Sequence, residues 1–521
     1  MDLAIKIIFL VVFFAVMIAI GVMTRKKANS VEGFVLGGRN AGPWLTAFGY
    51  GTSYFSAVVF IGYAGQFGWK YGIASTWIGI GNAVLGSLLA WIVLGRRTRV
   101  MTKHLNSKTM PDFFGKRYDS KALRITAALI SFIFLIPYTS SVYNGLSRLF
   151  NMAFNIDYKI CIIVMAALTC IYVILGGYMA TVVNDLVQGI IMLFGITAVI
   201  ATVLNNNGGF IESLSKLSQA QSDATVPAGM QGAFASFFGP DPLNLVGVII
   251  LTSLGTWGLP QMVGKFYAIK DEKSVKAGTV ISTLFAFVVA GGCYFLGGFA
   301  RLYEKDISYA DGKPMYDSII PTMLEKLPTI LIGVVIVLVL SASMSTLSSL
   351  VLTSSSTVTL DLIEQIKPKK NEDKKKRERT QLITMRLLLV FFIVVSVLLS
   401  LNPPTFIAQL MGYSWGALAG AFLAPFLWGL YWKKTTKLSV WVCFIFGVGF
   451  TVANMFLKFI ASPINAGAIT MLAGLVIVPV VSLITPKLSK SKVDDIFKCY
   501  DEKVTIEKKY SLPEEAPADE K

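Results

Sequence analysis

The chemistry of this chain concentrates in SASMSTLSSLVLTSSSTVT, residues 341–359, where twelve of nineteen positions are serine or threonine inside an apolar run. Hydroxyls can bond back to the preceding helical turn at small cost and let helices approach closely, which accounts for some of them. It does not account for Ser345, Thr346, Ser348 and Ser349, which crowd two adjacent faces of one turn, with Ser345 and Ser349 stacked at i and i+4. Neutral oxygens with little fixed charge suit a hard monovalent cation. Asp185, in GGYMATVVNDLVQG, is the only carboxylate well inside an apolar run. An acid at the centre of a membrane helix costs roughly 2.5–3.5 kcal/mol, so a partner is expected. The competing reading is an acid at a helix end near the inner surface, because Gly176 and Gly177 lie just before it.

Two other runs carry interruptions. AGPWLTAFGYGTSYFSAVVFIGYAG gathers Gly49, Gly51, Thr52, Ser53 and Ser56 at its middle, where glycine and hydroxyls weaken a helix. LNLVGVIILTSLGTWGLPQMVGKF gathers Gly255, Gly258 and Pro260, and proline cannot donate the helical bond. Each cluster alone reads as close packing. As a pair, five spans apart, they point to inverted repeats with a binding site at the bilayer midplane. Broken helices expose carbonyls to a cation and amide ends to an anionic group. Tyr54, Tyr138, Trp257 and Trp415 lie near the breaks, although packing is the ordinary role of any single aromatic.

The elements that must position these residues follow from composition. The 521 residues are 54% apolar and 15% charged, with mean hydropathy +0.65. Soluble domains carry about 25% charged residues, and the apolar residues here come in runs. Together these exclude a soluble multidomain enzyme, a disordered scaffold and an alternating outer-membrane barrel. The chain reads as an all-α polytopic membrane protein. Runs of about 20 residues predict thirteen spans: 5–23, 42–65, 72–95, 124–149, 159–178, 182–204, 244–264, 276–300, 329–360, 382–401, 405–430, 438–459 and 467–485. Discounting 5–23 as an extra helix, 42–204 and 244–430 form two five-helix repeats, and 438–485 adds two helices to a transporter domain spanning 1–485. Arg25, Lys26 and Lys27 follow the first run instead of preceding it, so it reads as a retained helix and not a signal peptide.

Of the 47 lysines and arginines, 37 fall on one side of this arrangement and 10 on the other. That places the amino terminus outside and the carboxyl terminus in the cytoplasm of a cell membrane (plasma or inner). The same placement explains the net charge of +17 without nucleic acid. Residues 365–381 read as a charged loop and 486–521 as a polar tail with too little apolar content to pack; 205–243 and 301–328 are the long outer loops. Cys161, Cys170, Cys293, Cys443 and Cys499 show no ligand spacing, and His104 is the single histidine.

In their order and sequence, FVLGGRNAGPWLTAFGYGTSYFS, GGYMATVVNDLVQ, WGLPQMVGKF and MSTLSSLVLTSSSTVTLDL resemble the solute:sodium symporters, with the LeuT-like inverted-repeat fold, over about residues 5 to 485. The nearest branches are the proline and pantothenate permeases. The resemblance implies a sodium site formed by the carbonyls of Thr52, Phe55 and Ala342 with the hydroxyls of Ser345 and Thr346. For members with a second sodium, it implies Asp185 with Ser345, Ser348 and Ser349, and hence one or two coupling ions. Proline carriers of the family have an aspartate where this chain has Tyr54, and their Trp and Tyr correspond to Thr252 and Thr256. Sugar carriers use a tyrosine at Thr256 and an asparagine at Ser253. These departures argue against sugar and weaken proline, leaving a small monocarboxylate or amino acid held by Tyr54, Ser56, Tyr138, Thr256, Trp257, Pro260 and Trp415.

The function expected is sodium-coupled import by alternating access, in a functional unit that is monomeric and surrounded by the lipid bilayer. Three rivals stand beside it. A proton-coupled carrier would titrate Asp185. A membrane-embedded transferase would want a catalytic histidine or an acid cluster, which one basic-loop histidine does not supply. A sensor would need a signalling domain after residue 485.

Overall fold

The structure is a computed structural model and describes residues 2–221, 223, 231–310, 312–366 and 373–501. It is an all-α bundle with one two-residue hairpin, Tyr309–Ala310 against Lys313–Pro314. Helices start where the sequence supplies acceptors for free amides. Ser120 accepts from Leu123 N at 3.3 Å and Asp271 from Ser274 N at 2.8 Å. Proline opens Pro43–Tyr54, Pro242–Leu254, Pro260–Tyr267 and Pro463–Ile484, where its missing N–H costs nothing.

Among the described residues, ten helices are long and apolar enough to cross a membrane, or eleven when the bent pair Pro242–Trp257 and Pro260–Tyr267 is taken as one span. The difference from the thirteen expected runs has local causes. The fifth and sixth runs lie within Tyr158–Asn206 as two helices joined at a non-helical Gly177 (φ 54°, ψ −148°), whose close approach to the Phe34 carbonyl also favours glycine. The apolar part of the first of them, Tyr158–Ile171, is too short to be counted as a span. The second run is split: Pro43–Tyr54 is a separate short helix, and the remainder ends at Tyr71, where a non-helical Gly72 (φ 59°, ψ −142°) forms the joint to the third run.

Two boundaries need correcting. The charged loop expected over 365–381 already becomes helix at Lys374, the start of Lys374–Leu401; residues 367–372 lie outside the described part. The tail expected to be unpacked instead forms a helix, Lys490–Lys498, which buries Val493, Ile496 and Phe497 against the bundle. Those three at i, i+3 and i+4 make an apolar stripe that bulk composition hides. Residues 502–521 of that tail lie outside the described part.

The serine-rich helix, Thr329–Thr357, occupies the middle of the bundle. It packs on Asp2–Thr24, Pro43–Tyr54, Lys121–Phe154, Tyr158–Asn206 and Lys374–Leu401. In its apolar window 83% of residues are buried, against 11% in the amino-terminal helix, so the first is core and the second is lipid-facing rim. At one end of the bundle the two broken spans are tied together. Ala41 N donates to Ala268 O at 3.1 Å, Lys270 N donates to Ala41 O at 3.0 Å, and the Arg39 guanidinium donates to the Tyr267 and Ser107 carbonyls.

Candidate functional site

The first broken span ends its inner helix at Tyr54. Phe55 is extended (φ −107°, ψ 103°), and the chain resumes through a widened turn, Val58–Tyr63, into Ala64–Tyr71. The last carbonyls of a helix have no partner within it, and here they face the serine-rich helix. Thr346 Oγ1 lies 3.5 Å from Thr52 O, 3.3 Å from Ser53 O and 3.2 Å from Ala342 O. One hydroxyl proton cannot satisfy three carbonyls, so oxygen lone pairs converge there unspent. Ser345 Oγ is buried beside them without a hydrogen-bond partner. A cavity of about 10 Å³ bordered by Phe55, Ser56 and Ala342 is otherwise walled by Phe60, Met192, Ile196, Val289, Cys293 and Leu338, an apolar lining that does not suit an ion. The structure brings the Thr52 and Ala342 carbonyls to the Thr346 hydroxyl, with Ser345 beside Thr346 in the chain. Ser53 O stands against Thr346 where the Phe55 carbonyl was expected, and the Phe55 ring stacks on Tyr54 at 4.3 Å.

Asp185 has the partner its burial demands, and it is a lysine. Lys265 Nζ is 3.2 Å from Asp185 Oδ2, with the two side chains 3% and 0% exposed. Lys265 comes from Pro260–Tyr267, the short helix after the second break, and its ammonium also faces the Tyr178 ring at 5.5 Å. The hydroxyls assigned to Asp185 are mostly engaged elsewhere: Ser348 Oγ donates to Ser345 O at 2.9 Å, and Ser349 Oγ bonds Ser53 Oγ at 2.9 Å. The hydroxyls of Ser345 and Thr52 remain near the carboxyl, whose Oδ1 has no hydrogen-bond partner. The sequence reading counted Lys265 among the charges of a loop. The signal that could have found it is its position as the only cation in the apolar helix PQMVGKFY.

The second break runs from a tight turn, Gly255–Trp257, through extended Leu259 to Pro260. Its turn lies against an aromatic wall. The Trp415 ring is 6.4 Å from Tyr54 and 5.8 Å from Tyr138, and a Cβ on Gly255 would come within 2.6 Å of it. Tyr54 OH donates to Thr252 O at 2.5 Å, and Thr256 Oγ1 donates to Ser253 O at 2.9 Å. Trp415 Nε1 and Asn82 Nδ2 are buried donors without partners. Among the described residues no carboxylate acts on the Tyr54 or Tyr138 phenols.

Three other expected contact residues have partners of their own. Ser56 Oγ accepts from Val58 N at 3.2 Å, and Trp257 Nε1 donates to Leu85 O at 3.0 Å. Pro260 lines a separate cavity of about 50 Å³ with Lys265, Ser349, Tyr178 and Thr109. Beyond that cavity, Arg124 pairs with Asp361 at 2.7 Å and Asp112 at 2.9 Å, fixing the base of the serine-rich helix. Asn82 and Lys265 are absent from the sequence-based expectations because each looks like ordinary packing or loop until its neighbours are known. No group of three or more histidine, cysteine or acidic side chains is arranged to hold a metal among the described residues.

Comparison with known proteins gives the family and the fold. The Sodium:solute symporter family model matches residues 34–448. The osmoregulated proline transporter OpuE of Bacillus subtilis is 30% identical over 447 residues, covering 85% of this chain and 87% of that protein. A sodium/proline symporter of Staphylococcus aureus is 30% identical over 441 residues, covering 82% of each. Among solved structures, a substrate-bound, outward-open Na+-coupled sialic acid symporter superposes with a TM-score of 0.72 at 16% identity, over 93% of this chain and 98% of that one. Mhp1, a nucleobase-cation-symport-1 family transporter, follows with 0.52 at 11% identity, over 89% and 97%. The fold is the LeuT-like transporter fold.

Proposed function

The chain belongs to the sodium:solute symporter family, and from that premise we propose that it imports a small solute bearing a carboxylate, driven by sodium bound at the first helix break. It is a sodium-coupled, multi-pass membrane symporter and not an enzyme. The observation that carries the rest is the convergence of the Thr52, Ser53 and Ala342 carbonyls on Thr346, with the Ser345 hydroxyl unpaired beside them. Sodium held there would join the broken span to the serine-rich helix. Affinity that differs between the outward and inward states is what lets sodium drive the solute. Each sodium entering supplies about 2.3 kcal/mol per 100 mV of membrane potential.

The aromatic wall of Tyr54, Tyr138 and Trp415 receives the apolar body of the solute. Trp415 Nε1 and Asn82 Nδ2 are the donors left for its polar end. Without a carboxylate at that wall, a solute whose only charge is its own carboxylate fits better than a zwitterion. Proline, or pantothenate, is the second reading, and the proline-transporting relatives favour the first of these. The functional unit on this reading is a monomer, with the amino terminus outside, the carboxyl terminus in the cytoplasm and the repeats at 42–204 and 244–430.

Uptake of radiolabelled lactate, pyruvate, pantothenate and proline into liposomes containing the purified chain tests this. Accumulation of one of them under an inward sodium gradient, lost when sodium is equal on both sides, supports the reading. Accumulation of the same solute in sodium-free buffer under a pH gradient would establish a proton-coupled carrier instead.

A further inference from the structure

Asp185 and the hydroxyls around it have the chemistry of a second cation site, yet its carboxylate is already paired with a cation of the chain itself. The Lys265 ammonium is 3.2 Å from Asp185 Oδ2, and both side chains are cut off from solvent. Like a bound ion, it joins elements that are separate in sequence. It reaches from the helix after the second break to the carboxyl on Tyr158–Asn206, and it closes on the first broken span at Gly49. A Cβ built there would come within 3.4 Å of Asp185 Oδ2 and 3.6 Å of Lys265 Nζ. Ser348 Oγ donates to a backbone carbonyl and Ser349 Oγ bonds Ser53 Oγ, while Ser345 Oγ and Asp185 Oδ1 have no hydrogen-bond partner, so what opposes a second cation is the fixed ammonium and not a shortage of oxygens. A carboxylate paired with an ammonium at this distance has little charge left with which to strip water from a second cation.

We infer that Lys265 is a tethered cation taking the place of a second sodium, so that the protein couples through one sodium per cycle. Lys265 is therefore a specificity-determining residue for ion stoichiometry. The inference rests on the proposed sodium-coupled reading and adds the ion count to it. The tether also gives Asp185 a neutralised state in both halves of the cycle, whereas an ion there would have to be loaded and released on opposite sides.

Equilibrium binding of radioactive sodium to the purified full-length chain, in detergent and without solute, tests this directly. The wild type should bind one sodium per chain without cooperativity. Lys265→Gln exposes the Asp185 carboxylate and should bind two. The Asp185→Asn/Lys265→Gln double variant should return to one, and Lys265→Arg, which keeps the charge, should stay at one. Two sodium ions on the wild type, or one on Lys265→Gln with its fold intact by size-exclusion chromatography, would overturn the inference. If Lys265→Gln does not fold, the wild-type count and the double variant decide. Zero sodium on the wild type would instead remove the sodium-coupled reading itself, so the two failures are distinguishable.

Discussion

The two broken spans interrupt the bundle by different means and present different chemistry. The first breaks without proline, at an extended Phe55 after Gly49 and Gly51, and turns backbone carbonyls toward hydroxyls. The second breaks at Gly258 and Pro260 and delivers a charged side chain, Lys265, to an acid on a neighbouring helix. A break that offers neutral oxygens can hold and release an ion, because no fixed charge has to be neutralised again afterwards. A break that carries its own ammonium holds its partner in place. Similar backbone interruptions at matching places in two repeats thus need not do the same work.

The sharpest way to break this comparison is at the charged pair. Asp185→Asn or Lys265→Met alone leaves one buried charge uncompensated, expected to cost about 3–5 kcal/mol. The double variant should recover most of that, read as thermal unfolding in sodium-free detergent. Equal losses in single and double variants would show that the pair acts only as packing.

The glycines at the breaks come next. Gly258→Ala would drive a Cβ to 2.7 Å from Ala419 Cα and 2.8 Å from Leu423 N, which are backbone atoms that cannot swing away. Gly51→Ala would meet the Phe285 ring at 2.4 Å, and a ring can turn. Within the roughly 1–3 kcal/mol range of overpacking, Gly258→Ala belongs at the upper end and Gly51→Ala at the lower. Thermal shift of the two proteins checks the order.

At the first break, Thr346→Val keeps the shape and removes one oxygen. About 1 kcal/mol, or roughly fivefold in half-saturating sodium, is expected, while Thr256→Val at the second break should leave the sodium requirement unchanged. Sodium titration of uptake distinguishes them.

A last effect concerns what holds the second half of the first broken span. Ile407 packs on Gly62, and its amide donates to Asp317 Oδ2 at 3.3 Å. Burial pushes the Asp317 carboxyl up from 3.8 to about 6, although the Ile407 amide and Arg148 pull the other way. A raised folded pKa means that the folded chain holds its proton more tightly than the unfolded one. Stability is therefore greatest at low pH and falls as pH rises through about 6. Between pH 5 and pH 6 the loss should be about 1 kcal/mol, and Asp317→Asn should remove that slope from thermal unfolding.

Much of this molecule could be read from its residues. Pro260 and the glycines at 49, 51, 255 and 258 locate both breaks because backbone geometry and the missing N–H are local properties. Ser345 and Thr346 stood out because twelve hydroxyls in one apolar helix exceed what packing explains. The tail helix was missed because Val493, Ile496 and Phe497 are diluted by the lysines around them. Lys265 was missed for a related reason: a lysine a few residues past an apolar run looks the same whether it points to water or folds back inside.

By itself, the sequence determined that the chain lies in a membrane, where its helices break and which helix is rich in oxygen, since hydropathy, proline and glycine act within a few residues of themselves. Only the tertiary structure decided that Ser349 bonds Ser53 and that Asp185 faces an ammonium. Those pairings join residues between 80 and 296 positions apart in the chain, and no local propensity encodes which of many buried polar groups will meet.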